Sequence, residues 1–540
     1  MEIVDYFEDG SATTVIVPHP ELLQDYERQA HILAQATQQI EVNKERMATD
    51  DIAKCDNRFF SNDTHQAGYF FPVYVGSLNE AEQSTHYTSG LCFQDLTFTY
   101  TDSGNPEDIG DVTVTIQSSK AKSLMCKDWF FFATVNLYHF QTISSKGSHS
   151  VTFTNLSPDA KIDIMRNGIK VYMMCDGYVD TFISVLNTLL AFIGGISSDP
   201  TKPIAGSHVP PYMEKANVEF LHNTMNYNLV ERETKEYDYD LSNIHSGDFF
   251  AVTRLDGIDP IIMYGSGSHT GHSVMALWID GELNIVESQD GWYWPKHGIQ
   301  RNLFPQWIEW ARNADFHVVH MPLSPEARAK FDEQAAIKFF LEAEGLPYGY
   351  HNFLFGWIDT PSDNFPPLLP KGFVPVVFSI LEHVLPSTVD IFFSQAINKR
   401  LGTKGLSIPQ QSVEAAKVNK SIEDLMAEVE VEGWIYEGLT NDGRAYVCSA
   451  FVAALWQAAG LLHNINSPEL APKDVYTINV FDLNYQRPAA CQAADPDQPF
   501  CQILGKYRMT FPGYSTIEPY EHMAEHCPTM APDYFRPDGC

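Results

Sequence analysis

The sequence predicts an α+β protein: a β-sandwich, then a second domain built from an antiparallel sheet and a helix that begins on an isolated cysteine. Three observations predict it. From about Phe59 to Met174, short β-rich runs alternate with clusters of turn residues. Asp280-Gly281 joins two apolar runs of strand character. An Ala-rich stretch ending at Gly460 starts directly after Cys448.

The order of the elements follows from local pattern. Leu22, Leu23, Tyr26, Ala30, Leu33 and Ile40 recur at helical spacing, so Pro20–Met47 is expected to be an amphipathic helix. Tyr69–Val75, Leu96–Tyr100, Val112–Ile116, Trp129–Val135 and Val151–Phe153 read as strands of the sandwich. No catalytic constellation is visible among them, so this part is expected to bind or pack. The Ser- and Pro-rich run Ser197–Pro211 reads as a linker. A helix near Tyr212–Met225 opens the second domain, and its first strand begins at Ser246-Gly247-Asp248.

Composition narrows the functional classes. With 44% hydrophobic and 13% aromatic residues the chain can build substantial cores. Its formal charge of −34, from 35 basic and 69 acidic side chains, repels phosphate backbones and argues against nucleic-acid binding. Neither Val179–Ile196, interrupted by Asp180 and Asn187, nor Phe373–Phe393, holding Glu382, His383 and two prolines, reads as a membrane span. Of nine cysteines, Cys55, Cys92, Cys126 and Cys175 lie in the first third, and Cys491, Cys501, Cys527 and Cys540 lie in the last fifty residues. Two groups of four leave Cys448 as the odd thiol, which points to disulfides and an oxidising compartment. Sequons at Asn62, Asn155 and Asn419 agree with that. The acidic start Met1–Gly10 shows no signal peptide, yet a secreted or lumenal location, of lysosome, phagosome or granule type, is the expectation.

The chemistry converges on two places. A two-residue hairpin turn at Asp280-Gly281 sets Ile279 opposite Glu282, so paired positions sum to 561. His272 then shares a face with Glu287 and Gln289, and Glu287 is its diagonal neighbour at roughly 7 Å. Cys448 sits at the N-terminus of its helix, where the helix dipole favours a thiolate. The backbone N–H groups of Cys448 and Ser449 are free to donate to an oxyanion. A thiolate beside an imidazole that is oriented by a third group is what acyl transfer needs.

The Gly247-Asp248 strand start, Gly271–Val274, the Val286-Glu287 return strand, Gly345–Tyr350 and Tyr446–Ser449 together resemble a circularly permuted papain-like family of the NlpC type (YiiX-like), in which the His strand precedes the Cys helix. The resemblance covers about Ser246–Gly460. It implies a Cys–His–polar triad attacking amide or ester carbonyls through a thioacyl intermediate. Cys448 would be the nucleophile, His272 the base and Glu287 the orienting residue, with Gln289 as the alternative third member. Trp292, Trp294, Tyr348 and Tyr446 are candidates to line the substrate pocket. The resemblance requires no cofactor.

The expected plan is therefore an N-terminal helical segment (1–50), a β-sandwich domain (51–198), a permuted papain-like hydrolase domain (212–490) and a disulfide-tied tail (491–540). The insertion of about 351–444 is expected to form a cap. A peptide or peptidoglycan-like amide is the expected substrate. Acyl-lipid chemistry of the lecithin:retinol acyltransferase type, and an inactive structural or binding protein, are the alternatives. Oligomeric state stays open. Metal binding by His269 with His272, or by His317 with His320, is not expected, because strand positions three apart face opposite ways.

Overall fold

The computed structural model describes residues 73–174, 208–289, 298–350, 373–428 and 445–519, with short internal breaks, together with 2–6 and 12–16. It is mixed α+β, with antiparallel sheets. The chain divides into two units, Met1–Lys54 with Lys371–Glu428, and Cys55–Pro370 with Val429–Cys540.

In the first unit, β1 (Glu2–Tyr6) and β2 (Ala12–Ile16) form an antiparallel pair. The helical reading of 1–50 does not hold for these residues, where β-branched side chains flank Gly10. The helix expected over Pro20–Met47 lies outside the described residues. The segment read as a cap is a helical unit with a core of its own. Helices Phe373–Val384, Gln395–Leu401 and Ile408–Lys417 bury Leu381, Phe392, Ile397 and Ile408, and the rings of Phe378 and Phe393 stack at 5.0 Å. A fresh helix beginning at Pro386 breaks the apolar run. No helix among the described residues is long and apolar enough to cross a membrane.

The second unit begins with β3 (Val73–Leu78), β4 (Ser84–Tyr87), β5 (Phe93–Asp102), β6 (Gly110–Ala121), β7 (Asp128–Ala133), β8 (Tyr138–Ile143), β9 (Gly147–Leu156) and β10 (Ile169–Met173). They form two four-stranded antiparallel sheets, ordered β3-β10-β7-β8 and β4-β5-β6-β9. Strand alternation directs Leu96, Phe98 and Val114 of one sheet and Phe130, Phe132 and Val171 of the other into a single hydrophobic cluster. The Cys92–Cys126 disulfide lies beside it, and buried Asp128 accepts the backbone N–H groups of Cys92 and Phe93 at 2.7 and 2.9 Å.

Next come β11 (Val230–Glu231), β12 (Phe249–Thr253), β13 (His272–Ile279), β14 (Glu282–Gln289), β15 (Gly298–Leu303), β16 (His317–Met321), β17 (Cys501–Leu504) and β18 (Tyr507–Arg508). Six of them make one antiparallel sheet in the order β15-β14-β13-β12-β16-β17, while β11 pairs with β18. The hairpin has the expected register, Ile279 opposite Glu282 and Met275 opposite Val286. Asp280 and Gly281 both take positive φ, 54° and 80°, as a type I′ turn requires. The tail is corrected by this sheet: β17 pairs with β16, so residues up to 519 belong to the domain rather than hang from it. Its core is aromatic, with Phe500, Phe511 and Tyr514 packed together and Tyr514 stacked on Phe481 at 5.2 Å, which explains why a search for aliphatic runs overlooks it.

A disulfide, Cys491–Cys501, closes one cysteine pair here, as Cys92–Cys126 does earlier. Cys55, Cys175, Cys527 and Cys540 lie outside the described residues. The two disulfides fit a protein of an oxidising, non-cytosolic compartment.

Two buried histidines fasten the tail. His317 Nε2 accepts the Tyr507 N–H at 3.1 Å while Nδ1 faces Thr253 O at 3.3 Å, so the ring must be neutral. His269 Nδ1 donates to Thr510 O at 2.8 Å, and its ring stacks on Tyr227 with centroids 3.8 Å apart. Burial, which penalises the charged ring, lowers both from 6.5 to about 4. The unfolded chain therefore takes up these protons first, and stability that is complete above pH 6.5 is lost as pH falls toward 4. We expect Tm to drop across that window, as up to about 3 kcal/mol of stability per histidine is lost. Thermal melts of His317→Asn against pH should show a shallower slope than the parent.

Candidate active site

The helix that begins on the free cysteine, Cys448–Ala458, is held at both ends. Its first turn has no side-chain cap, because Val447 occupies the N-cap position and offers no acceptor. Just upstream, Tyr446 O accepts the Ser288 hydroxyl at 2.6 Å and the Gly349 N–H at 2.9 Å, and Tyr446 bridges to Tyr348. Strand β14, the Gly-Tyr segment and the approach to Cys448 are thereby joined. At the far end Trp456 Nε1 donates to Gly247 O at 3.0 Å, and its ring packs edge-on against Phe249 and Phe481. Among the described residues Cys448 is the free cysteine, and it is buried.

Strand β13 presents His272 to this helix. His272 Nε2 lies 2.9 Å from Glu287 Oε2, across the hairpin. Glu287 is fully buried, and its Oε1 receives Asn302 Nδ2 from β15 at 3.4 Å. Cys448 is the second group that acts on the imidazole, favouring its charged form. With Nε2 on the carboxylate, Nδ1 is the nitrogen left to face sulfur. Burial opposes charge on the ring, but the hydrogen bonds and charges of Cys448 and Glu287 outweigh it and hold the His272 pKa well above its ordinary value.

Cys448, His272 and Glu287 thus meet as the sequence reading required. Gln289 does not join them: it is fully buried, and among the described residues neither its Nε2 nor its Oε1 has a hydrogen-bond partner. The Ser449 hydroxyl, next to Cys448, is likewise buried and without a partner among the described residues. Tyr348 and Tyr446 are buried against the approach to the Cys helix. Trp292 and Trp294 lie outside the described residues.

No family model, curated protein or solved structure matches this chain. The site's meaning rests on its own geometry.

The histidine pairs diverge. His269 serves Thr510 and Tyr227, His272 serves Glu287 and Cys448, His317 serves Thr253 and Tyr507, and His320 Nε2 bonds Asp248 Oδ2 at 3.0 Å. Among the described residues no three His, Cys, Asp or Glu side chains gather as a metal site.

Sequence reasoning missed two supports. Asp248 is fully buried and receives His320, Arg328 and the backbone N–H groups of Leu323 and His245. Its carboxyl is held below the usual range: burial works the other way, but the His320 bond and the nearby Arg328 prevail. The second is Gly271, whose missing Cβ makes room for the buried Asp259 carboxyl. Asp259 in turn accepts the Arg254 N–H. The Gly-His dipeptide was the available signal, although it does not reveal what approaches the glycine.

Gly271→Ala should force Asp259 away and displace His272. We expect about 1–3 kcal/mol of destabilisation by urea unfolding, with a larger fractional loss of Cys448 reactivity than of folded protein. A variant as stable and as reactive as the parent would remove the steric role.

Proposed function

We propose that the chain is a thiol hydrolase of amide bonds, a circularly permuted papain-like domain of the NlpC type that follows a β-sandwich. One observation carries the reading. A free thiol at an uncapped helix N-terminus and a buried carboxylate both act on one imidazole, which lies 2.9 Å from the carboxylate and whose pKa the two together raise. A cysteine used only for packing needs no such relay.

In the proposed cycle the Cys448 thiolate attacks the substrate carbonyl carbon. A C–S bond forms, and the π-electron pair moves to oxygen, where the Cys448 and Ser449 backbone N–H groups stabilise it. The His272 imidazolium gives its Nδ1 proton to the amine nitrogen as the C–N bond breaks. The amine leaves and a thioester remains. Neutral His272 then takes a proton from water, whose oxygen attacks the thioester. Collapse expels the thiolate and releases the carboxylic product, with imidazolium restored. Glu287 fixes the ring and its tautomer throughout. Peptides or peptidoglycan-like stems are the proposed substrate class. The proposed location is secreted or lumenal, and the two acid-sensitive histidines weigh toward a compartment near neutrality.

A thiol-directed activity probe on the full chain should label Cys448, and Cys448→Ala should abolish labelling. His272→Ala should slow it by about a thousandfold; labelling at the parent rate in that variant would refute the reading. Glu287→Gln removes one of the two groups that raise the His272 pKa. The alkaline limb of the labelling rate should therefore move to lower pH, with a loss of about ten- to a hundredfold at the optimum. An unmoved limb would deny Glu287 its place.

A further inference from the structure

We infer that Gln289 recognises a backbone amide of the substrate, which makes the site selective for peptide-like chains over acyl esters. The inference rests on the thiol-hydrolase reading and adds the chemistry of what is bound.

Gln289 lies two residues beyond Glu287 on β14, so both side chains project from the same face. That face carries the carboxylate bonded to His272. Continuing the β13–β14 register places Gln289 opposite His272 itself. Strand pairing to Gly298 of β15 consumes only its backbone. The carboxamide is fully buried, yet its donor and its acceptor both lack a partner among the described residues.

A buried carboxamide left in that state is costly, on the order of 1–3 kcal/mol for each unmade bond, and native structures seldom tolerate it away from a binding site. The arrangement becomes favourable when an occupant supplies one acceptor and one donor at amide spacing. A peptide group does so: its carbonyl oxygen accepts from Gln289 Nε2 and its N–H donates to Oε1. An ester linkage offers the acceptor only and leaves Oε1 unsatisfied. Sites built to hydrogen-bond a substrate N–H reject analogues that lack it far more strongly than apolar pockets reject a missing methylene.

The test compares two alkylating probes with identical warheads on the full-length protein. One is N-iodoacetyl-alanyl-alaninamide. The other is its depsipeptide analogue, with an ester oxygen in place of the second alanine's N–H. Each rate of Cys448 alkylation is divided by the rate with methyl methanethiosulfonate on the same variant, which corrects for changes in the thiol itself. The parent should prefer the amide probe by tenfold or more, and Gln289→Met should bring that ratio to within twofold of one. Gln289→Leu, which also removes both polar atoms, replaces Gln289→Met if that variant does not fold, whereas Gln289→Glu, which keeps an acceptor for the probe's N–H, should retain the preference. Gln289→Met should also melt a few degrees higher than the parent, because it removes the unmade bonds. A preference that survives in Gln289→Met or Gln289→Leu, or is absent in the parent, overturns the inference. If alkylation of the parent does not depend on His272 at all, the hydrolase reading falls too. If it does depend on His272 but shows no amide preference, only the role of Gln289 falls.

Discussion

The fold turns on a carboxylate with no access to water. Glu287 can be kept inside the sheet only if something meets its charge, and His272 is the cation within reach. A single buried ion must be paired or neutralised. That need fixes the imidazole's rotation, leaves one ring nitrogen toward sulfur, and helps hold the ring's pKa above its ordinary value despite its burial. Hairpin register, helix placement and the tie from Ser288 to Tyr446 all serve to keep those three side chains together.

The same sheet contains a second carboxylate–imidazole pair, and the contrast is informative. Asp248 and His320 are as deeply buried as Glu287. There the carboxylate is saturated by Arg328 and two backbone N–H groups, and the imidazole stacks on Phe250 at 4.9 Å. The carboxylate's bonds all go to neighbouring protein groups, and the pair fastens the start of β12. At Glu287 the chain of bonds ends on a thiol. The same carboxylate–imidazole pair is closed on itself at Asp248 and open toward a cysteine at Glu287.

Much of this was legible in the residues. The Asp280-Gly281 turn fixed a register from which the shared face of His272, Glu287 and Gln289 followed. The Ala-rich run ending at Gly460 marked the helix that carries Cys448. The choice between Glu287 and Gln289 was not legible, because both lie on the right face and only side-chain packing separates them. Asp248 was visible as part of a motif but not as a hub, since its partners come from distant segments. The tail misled for a different reason: it builds its core from Phe500, Phe511 and Tyr514 rather than from aliphatic periodicity, and β17 is too short to stand out. The β1–β2 pair was hidden by the stronger helical pattern that follows it.

Placing β17 at the edge of the sheet has a consequence for biosynthesis. A ribosome delivers the histidine strand early, the cysteine helix much later, and the strand that completes the sheet later still. The growing polypeptide therefore holds an imidazole and a carboxylate long before any sulfur arrives to meet them, and β16 waits with an open edge until Cys501–Leu504 has emerged. The three side chains cannot meet until the Cys448 helix has been made, and the sheet that holds two of them is not closed until β17 follows.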